Sequence, residues 1–167
     1  MTNFAEFLST LDDDVSRRGK QFERFIKWFL VNDPEWATQV ADVWLWDEYP
    51  DRWGADCGID LVFKSKLGKT WAVQAKCYAA DYDISKSDVD KFLSESNRRQ
   101  IDHRLLIATT DRLGTNKSWT PRKNPSFGIC SRILKVLQSI FQTAYIVWRQ
   151  EGANLRRNLI AHTRSKL

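Results

Sequence analysis

Three residues flanking one glycine could act together. Asp60 precedes Gly68, and Gln74 and Lys76 follow it, with apolar runs on both sides. A carboxylate, an amide oxygen and an ammonium gathered at one place supply hard oxygen ligands of the kind that suit Mg²⁺. A lysine beside such an ion can position or deprotonate a water, or neutralise the charge of a phosphorane-like transition state. Whether the three meet depends on the turn between them. With Lys66, Leu67 and Gly68 as a three-residue loop and Gly68 in the left-handed conformation, Ser65 pairs with Lys69. Phe63 then faces Trp71, Leu61 faces Val73 and Ile59 faces Ala75. All six are apolar and fall on one side, because strand side chains alternate. The other side carries Lys64 opposite Thr70, Val62 opposite Ala72 and Asp60 opposite Gln74, with Lys76 two residues on. A two-residue loop would set Asp60 opposite Ala75 and break the apolar pairing, so the core pattern selects the register that gathers Asp60, Gln74 and Lys76. The competing interpretation is an Asp–Lys pair on a solvated sheet face with Gln74 a bystander, an arrangement that contributes little.

Other elements must carry this hairpin. Residues 3–11 suit a short helix. Ser16–Asn32 is the clearest helix, with Ser16 as N-cap, an apolar face of Phe22, Phe25, Ile26, Phe29 and Leu30, and Pro34 as terminator. Residues 40–46 read as a strand rich in Val and Trp, followed by a turn-rich stretch from Asp47 to Gly58. The hairpin strands are expected over Ile59–Ser65 and Lys69–Tyr78. Ser85–Arg98 reads as a second helix, capped by Ser85 or Ser87, with Val89, Phe92 and Leu93 on its apolar face. Leu105–Thr109 reads as a short buried strand. The order helix, strand, hairpin, helix, strand predicts an α/β fold, a mixed β-sheet flanked by helices.

Composition narrows the function. The chain has 167 residues, 43% hydrophobic, enough for one domain with a real core. It has no apolar run long enough to span a membrane and no basic-then-apolar leader, so the sequence reads as cytoplasmic with no membrane partner. Two histidines, His103 and His162, argue against zinc and against a Ser-His-Asp triad. Cys57, Cys77 and Cys130 match no zinc spacing and read as reduced thiols. The net charge of +5 suggests nucleic acid, but its distribution does not support that for the body. Residues 1–115 hold 16 basic against 20 acidic side chains (−4), and residues 116–167 hold ten against one (+9).

The motifs also resemble a known family. Gly19-Lys20-Gln21-Phe22-Glu23 on the first long helix, Trp53-Gly54-Ala55-Asp56-Cys57-Gly58-Ile59-Asp60, then Gln74-Ala75-Lys76, and Tyr82-Asp83-Ile84-Ser85 leading into a helix follow one another in order. Together they resemble the PD-(D/E)xK nucleases, specifically the Mrr-like branch of restriction endonucleases. The resemblance covers roughly residues 14–116, and is strongest to the N-terminal nuclease domain of helicase-containing, type ISP-like enzymes. It implies a restriction-endonuclease-like fold and Mg²⁺- or Mn²⁺-dependent hydrolysis of double-stranded DNA in restriction of foreign DNA. By this resemblance Asp60 is the central metal ligand. Gln74 stands where many relatives have Glu and is a neutral ligand or orienter. The Ala75 backbone carbonyl is a further ligand, and Lys76 is the catalytic lysine. The site is one negative charge short, and Glu23 would supply it, directly or through a water. Cys57 departs from the pattern where a glycine is usual. Asp56 is read as bonding its own turn rather than as a site residue. Lys86 and Lys91 are read as solvated. Trp44, Trp46, Trp53 and Trp71 are read as core rather than as base-stacking surfaces, and Trp28 as packed.

Residues 1–116 are expected to form the nuclease domain and 117–167 a basic tail of uncertain structure. The tail reads either as a DNA-binding arm or as out-of-frame translation. Residues 158–166, back-translated and shifted by one nucleotide, can spell a stretch resembling the opening of a superfamily 2 helicase domain. On that interpretation the chain is the front of a longer helicase- and methyltransferase-containing enzyme, and it need not be active alone. A homodimer is a further expectation, since cutting both strands usually needs two sites. The rival functions are an inactive DNA- or partner-binding module on the same fold, and a junction or repair nuclease.

Overall fold

The computed structural model describes residues 4–55, 58–79, 81–110 and 127–129. Its elements run α1 (Phe4–Ser9), α2 (Val15–Asn32), β1 (Val40–Leu45), a 3₁₀ turn (Trp46–Glu48), β2 (Leu61–Ser65), β3 (Thr70–Lys76), α3 (Lys86–Glu95), β4 (His103–Ala108) and β5 (Phe127–Ile129). The strands form one mixed sheet in the order β1-β2-β3-β4-β5. β1, β2 and β3 pair antiparallel, whereas β3, β4 and β5 pair parallel. A parallel neighbour needs a crossover, and α3 provides it between β3 and β4. β5 lies beyond residue 116, within the segment expected as a tail. The rest of that segment, including residues 158–166, His162 and Cys130, lies outside the described residues.

The hairpin takes the expected register. Leu61 pairs with Val73, Val62 with Ala72, Phe63 with Trp71 and Lys64 with Thr70. The Ser65 N–H donates to the Lys69 carbonyl at 2.8 Å, and the Gly68 N–H donates to the Ser65 carbonyl at 2.8 Å. Gly68 has φ 74°, the left-handed conformation that this loop demands and that side chains resist.

Alternation then sorts the apolar residues. Leu61, Phe63, Val73, Leu105 and Ile107 pack against Phe22, Phe25, Ile26, Phe29 and Leu30 of α2. Each of those five α2 side chains is fully buried, which contributes roughly 1.5–3 kcal/mol apiece. On the opposite face Val62 and Ala72 pack with Trp46, Tyr49, Ile101 and Phe92 of α3. That face is therefore covered by protein, not solvated as the competing interpretation required. Trp46 is buried, and Trp28, Trp44, Trp53 and Trp71 pack against these clusters.

Two expectations are corrected. The N-cap of α2 is Asp14, whose carboxylate accepts the Arg17 N–H at 2.9 Å, not Ser16. A charged acceptor at a helix start also meets the positive end of the helix dipole. Ile59 does not join Leu61 and Phe63. It packs on the opposite face with Val62 and Ala72, because β2 begins only at Leu61 and Gly58 turns the incoming chain with φ 60°.

Candidate active site

Asp60 sits where the incoming chain meets the sheet, and its backbone is gripped from both sides. Its N–H donates to the Val73 carbonyl at 2.9 Å, and its carbonyl accepts the Trp46 N–H at 2.9 Å. The side chain is tethered as well, with Oδ2 accepting the Ala75 N–H at 2.8 Å. Strand alternation fixes what lies beside it. The Lys76 carbonyl accepts from Thr109 on the β4 side, whereas the Val73 carbonyl and the Ala75 N–H are directed to the Asp60 side. By the same alternation the Ala75 carbonyl also points toward Asp60.

Gln74 is buried at 3% exposure. Its Nε2 donates to the Gly58 carbonyl at 2.9 Å, tying β3 to the segment that delivers Asp60. Its Oε1 is buried and has no hydrogen-bond partner among the described residues. Leaving a buried acceptor unsatisfied costs about 1–3 kcal/mol.

Glu23 reaches the site from α2. It is buried, and Lys20 donates to its Oε2 at 3.0 Å. Glu23 and Asp60 line one cleft of about 420 Å³, together with Lys20 and Arg24 of α2, Trp46 and Asp47 of the 3₁₀ turn, and Ala55. Lys76 is half-buried, and its positive charge acts on Asp60. Burial pushes the Asp60 carboxyl up from 3.8 to about 6, and the negative charge of Glu23 pushes the same way. The Ala75 N–H and the charges of Lys76 and Lys20 pull it down without cancelling the burial.

The structure thus brings Glu23, Asp60 and the Ala75 backbone together, with Gln74 behind them and Lys76 within electrostatic reach. Among the described residues no three His, Cys, Asp or Glu side chains gather as a metal cage would require. Asp56 and Cys57 lie outside the described residues. Lys86 pairs with Asp90, and Lys91 is exposed. The motif pattern did not single out Lys20, Arg24 and Asp47 as cleft residues. Lys20 had a usable signal, since it stands three residues before Glu23 on one helix face. Asp47 had none, because only the β1–β2 pairing turns the 3₁₀ segment toward α2. Cys77 is a free thiol, raised by burial. No described helix is long and apolar enough to cross a membrane.

Comparison with known proteins agrees with the fold. No curated protein matches the chain. A solved structure titled "ATP-dependent Type ISP restriction-modification enzyme LlaBIII bound to DNA" superposes over 77% of this chain with TM-score 0.62 at 25% identity. The present chain spans only 8% of the length of that enzyme. A family model described as restriction endonuclease, of the Mrr catalytic type, matches residues 31–126 and so takes in Asp60, Gln74, Ala75 and Lys76. On the sheet order, the motif placement and this match, the chain belongs to the Mrr-like restriction endonuclease family.

Proposed function

We propose that this chain is a divalent-metal-dependent endonuclease domain that hydrolyses phosphodiesters of double-stranded DNA in restriction. The observation that carries the proposal is the state of Asp60 and Gln74: a carboxylate held against its own burial, and on β3 a buried amide oxygen with no hydrogen-bond partner among the described residues. Both are costs to the metal-free protein, and a bound cation relieves both. The donors are hard oxygens, which fits Mg²⁺ or Mn²⁺ and not a thiolate-seeking metal.

Asp60, the Ala75 carbonyl and the Gln74 Oε1 would hold the ion, with Glu23 contributing its charge directly or through a water. Bound there, the ion would supply positive charge to offset that of the phosphate. The chain's own groups do the rest. The three bonds to Asp60 fix its position before substrate arrives, so little reorganisation is needed at the reaction. Lys76 orients the attacking water and opposes the charge that builds on the phosphate. Lys20 and Arg24 give the cleft mouth a basic edge for the DNA backbone, and such contacts position the duplex without reading its sequence. Similarity to a DNA-bound enzyme with ATP-dependent action supports a helicase module as partner.

The test is cleavage and binding of a labelled duplex by wild type and Lys76→Met. The expected result is Mg²⁺- or Mn²⁺-dependent cutting by wild type. The Lys76→Met variant should lose it while still binding the duplex in Ca²⁺. Salt-sensitive binding with no cutting by well-folded wild type would favour a binding module. Preference for branched over linear duplex would favour a junction nuclease.

A further inference from the structure

Lys20 and Glu23 form an unequal pair. The Lys20 Nζ lies 3.0 Å from Glu23 Oε2, yet the Lys20 side chain is 62% exposed and that of Glu23 only 11%. The carboxylate belongs to the wall and the ammonium reaches it from solvent. Both line the same cleft as Asp47 and Asp60. The hydrogen bond to Glu23 holds the proton on Lys20 most strongly, and the negative charges of Glu23, Asp47 and Asp60 act the same way against partial burial. Its ammonium therefore occupies the negative region of the cleft, where a second cation would be drawn. A pair three residues apart on a helix whose lysine is open to solvent is weak and easily opened, so this cation can be exchanged for another.

We propose that Lys20 is the resident counter-ion of the metal-free cleft: it holds Glu23 in place, yields it when a divalent cation binds, and so sets the metal affinity of the site. The inference rests on the metal-dependent reading given above. Lys20 acts here through Glu23 and is a positioning residue, not a catalytic one. Because two cations cannot share the same carboxylate without repulsion, binding the metal and keeping the Lys20–Glu23 pair are in competition. Removing the ammonium removes the competitor.

The experiment is Mn²⁺ binding to the full chain at pH 7.5, followed by calorimetry, for wild type, Lys20→Met, Lys20→Arg and Asp60→Asn. The expected result is a two- to fivefold tighter Mn²⁺ dissociation constant for Lys20→Met, the scale of one exposed ion pair. Lys20→Arg should stay near wild type, since it keeps the charge. In a Glu23→Gln background the gain from Lys20→Met should shrink, because no pair is left to compete. Unchanged or weaker Mn²⁺ binding by Lys20→Met, with wild-type binding intact and dependent on Asp60, overturns the Lys20 inference alone. Wild-type protein that binds no Mn²⁺, or binds it equally after Asp60→Asn, overturns the metal reading and the Lys20 inference with it.

Discussion

Replacing Asp60 by Asn should stabilise the metal-free protein at neutral pH, although it disables the proposed site. The folded protein holds the Asp60 proton up to about pH 6, whereas the unfolded chain releases it near 3.8. Between those values the folded state binds more protons than the unfolded one, so stability falls as pH rises through the window. Above about pH 6 the loss is complete. At 1.36 kcal/mol per pH unit, the interval from 3.8 to about 6 corresponds to about 3 kcal/mol. Asn is neutral, nearly isosteric, and still offers an oxygen to the Ala75 N–H, so it escapes this cost. The expected gain is about 1–3 kcal/mol at pH 7.5, or roughly 5 °C in melting temperature. Urea unfolding in EDTA at pH 7.5 and again near pH 3.5 measures it. The difference should be present at the higher pH and vanish at the lower, where both side chains are neutral. Saturating Mg²⁺ should then stabilise wild type and leave Asp60→Asn unmoved. A variant less stable than wild type at pH 7.5, or a gap that persists unchanged at pH 3.5, would refute the reasoning that burial strains this carboxylate.

Gln74→Glu would add a buried carboxylate to a region that already holds Asp60 and Glu23. Thermal unfolding should show lower metal-free stability at pH 7.5, and titration should show tighter Mn²⁺ binding. Gly68→Ala forces a side chain into φ 74°, and should cost about 1–2 kcal/mol in urea unfolding with activity per folded molecule unchanged. Asp14→Ala removes the acceptor at the start of α2 and should cost about 1 kcal/mol in the same assay.

The hairpin was legible because its signals are local. Gly68 fixes the turn, and apolar pairing then fixes the register from Leu61↔Val73 to Lys64↔Thr70. The α2 face was legible for the same reason, from five apolar residues at helical spacing. Its cap was harder to place, since Asp12, Asp13 and Asp14 precede Ser16 and only the chain's entry path decides among them. Ile59 was misplaced because alternation holds only inside a strand, and Gly58 breaks it one residue earlier. β5 escaped notice because a three-residue parallel edge strand depends on long-range pairing and carries little periodicity of its own. The Lys20–Glu23–Asp47–Asp60 cleft joins three segments distant in sequence, α2, the 3₁₀ turn and the chain entering β2, and no spacing rule reaches across them.

Nicking of supercoiled plasmid by the full chain in Mn²⁺, with Asp60→Asn alongside, tests the central claim most directly. The account predicts relaxed circles from wild type, none in EDTA, and none from the variant, even though the variant is the more stable protein. Equal nicking by wild type and Asp60→Asn, or nicking that survives EDTA, would contradict it.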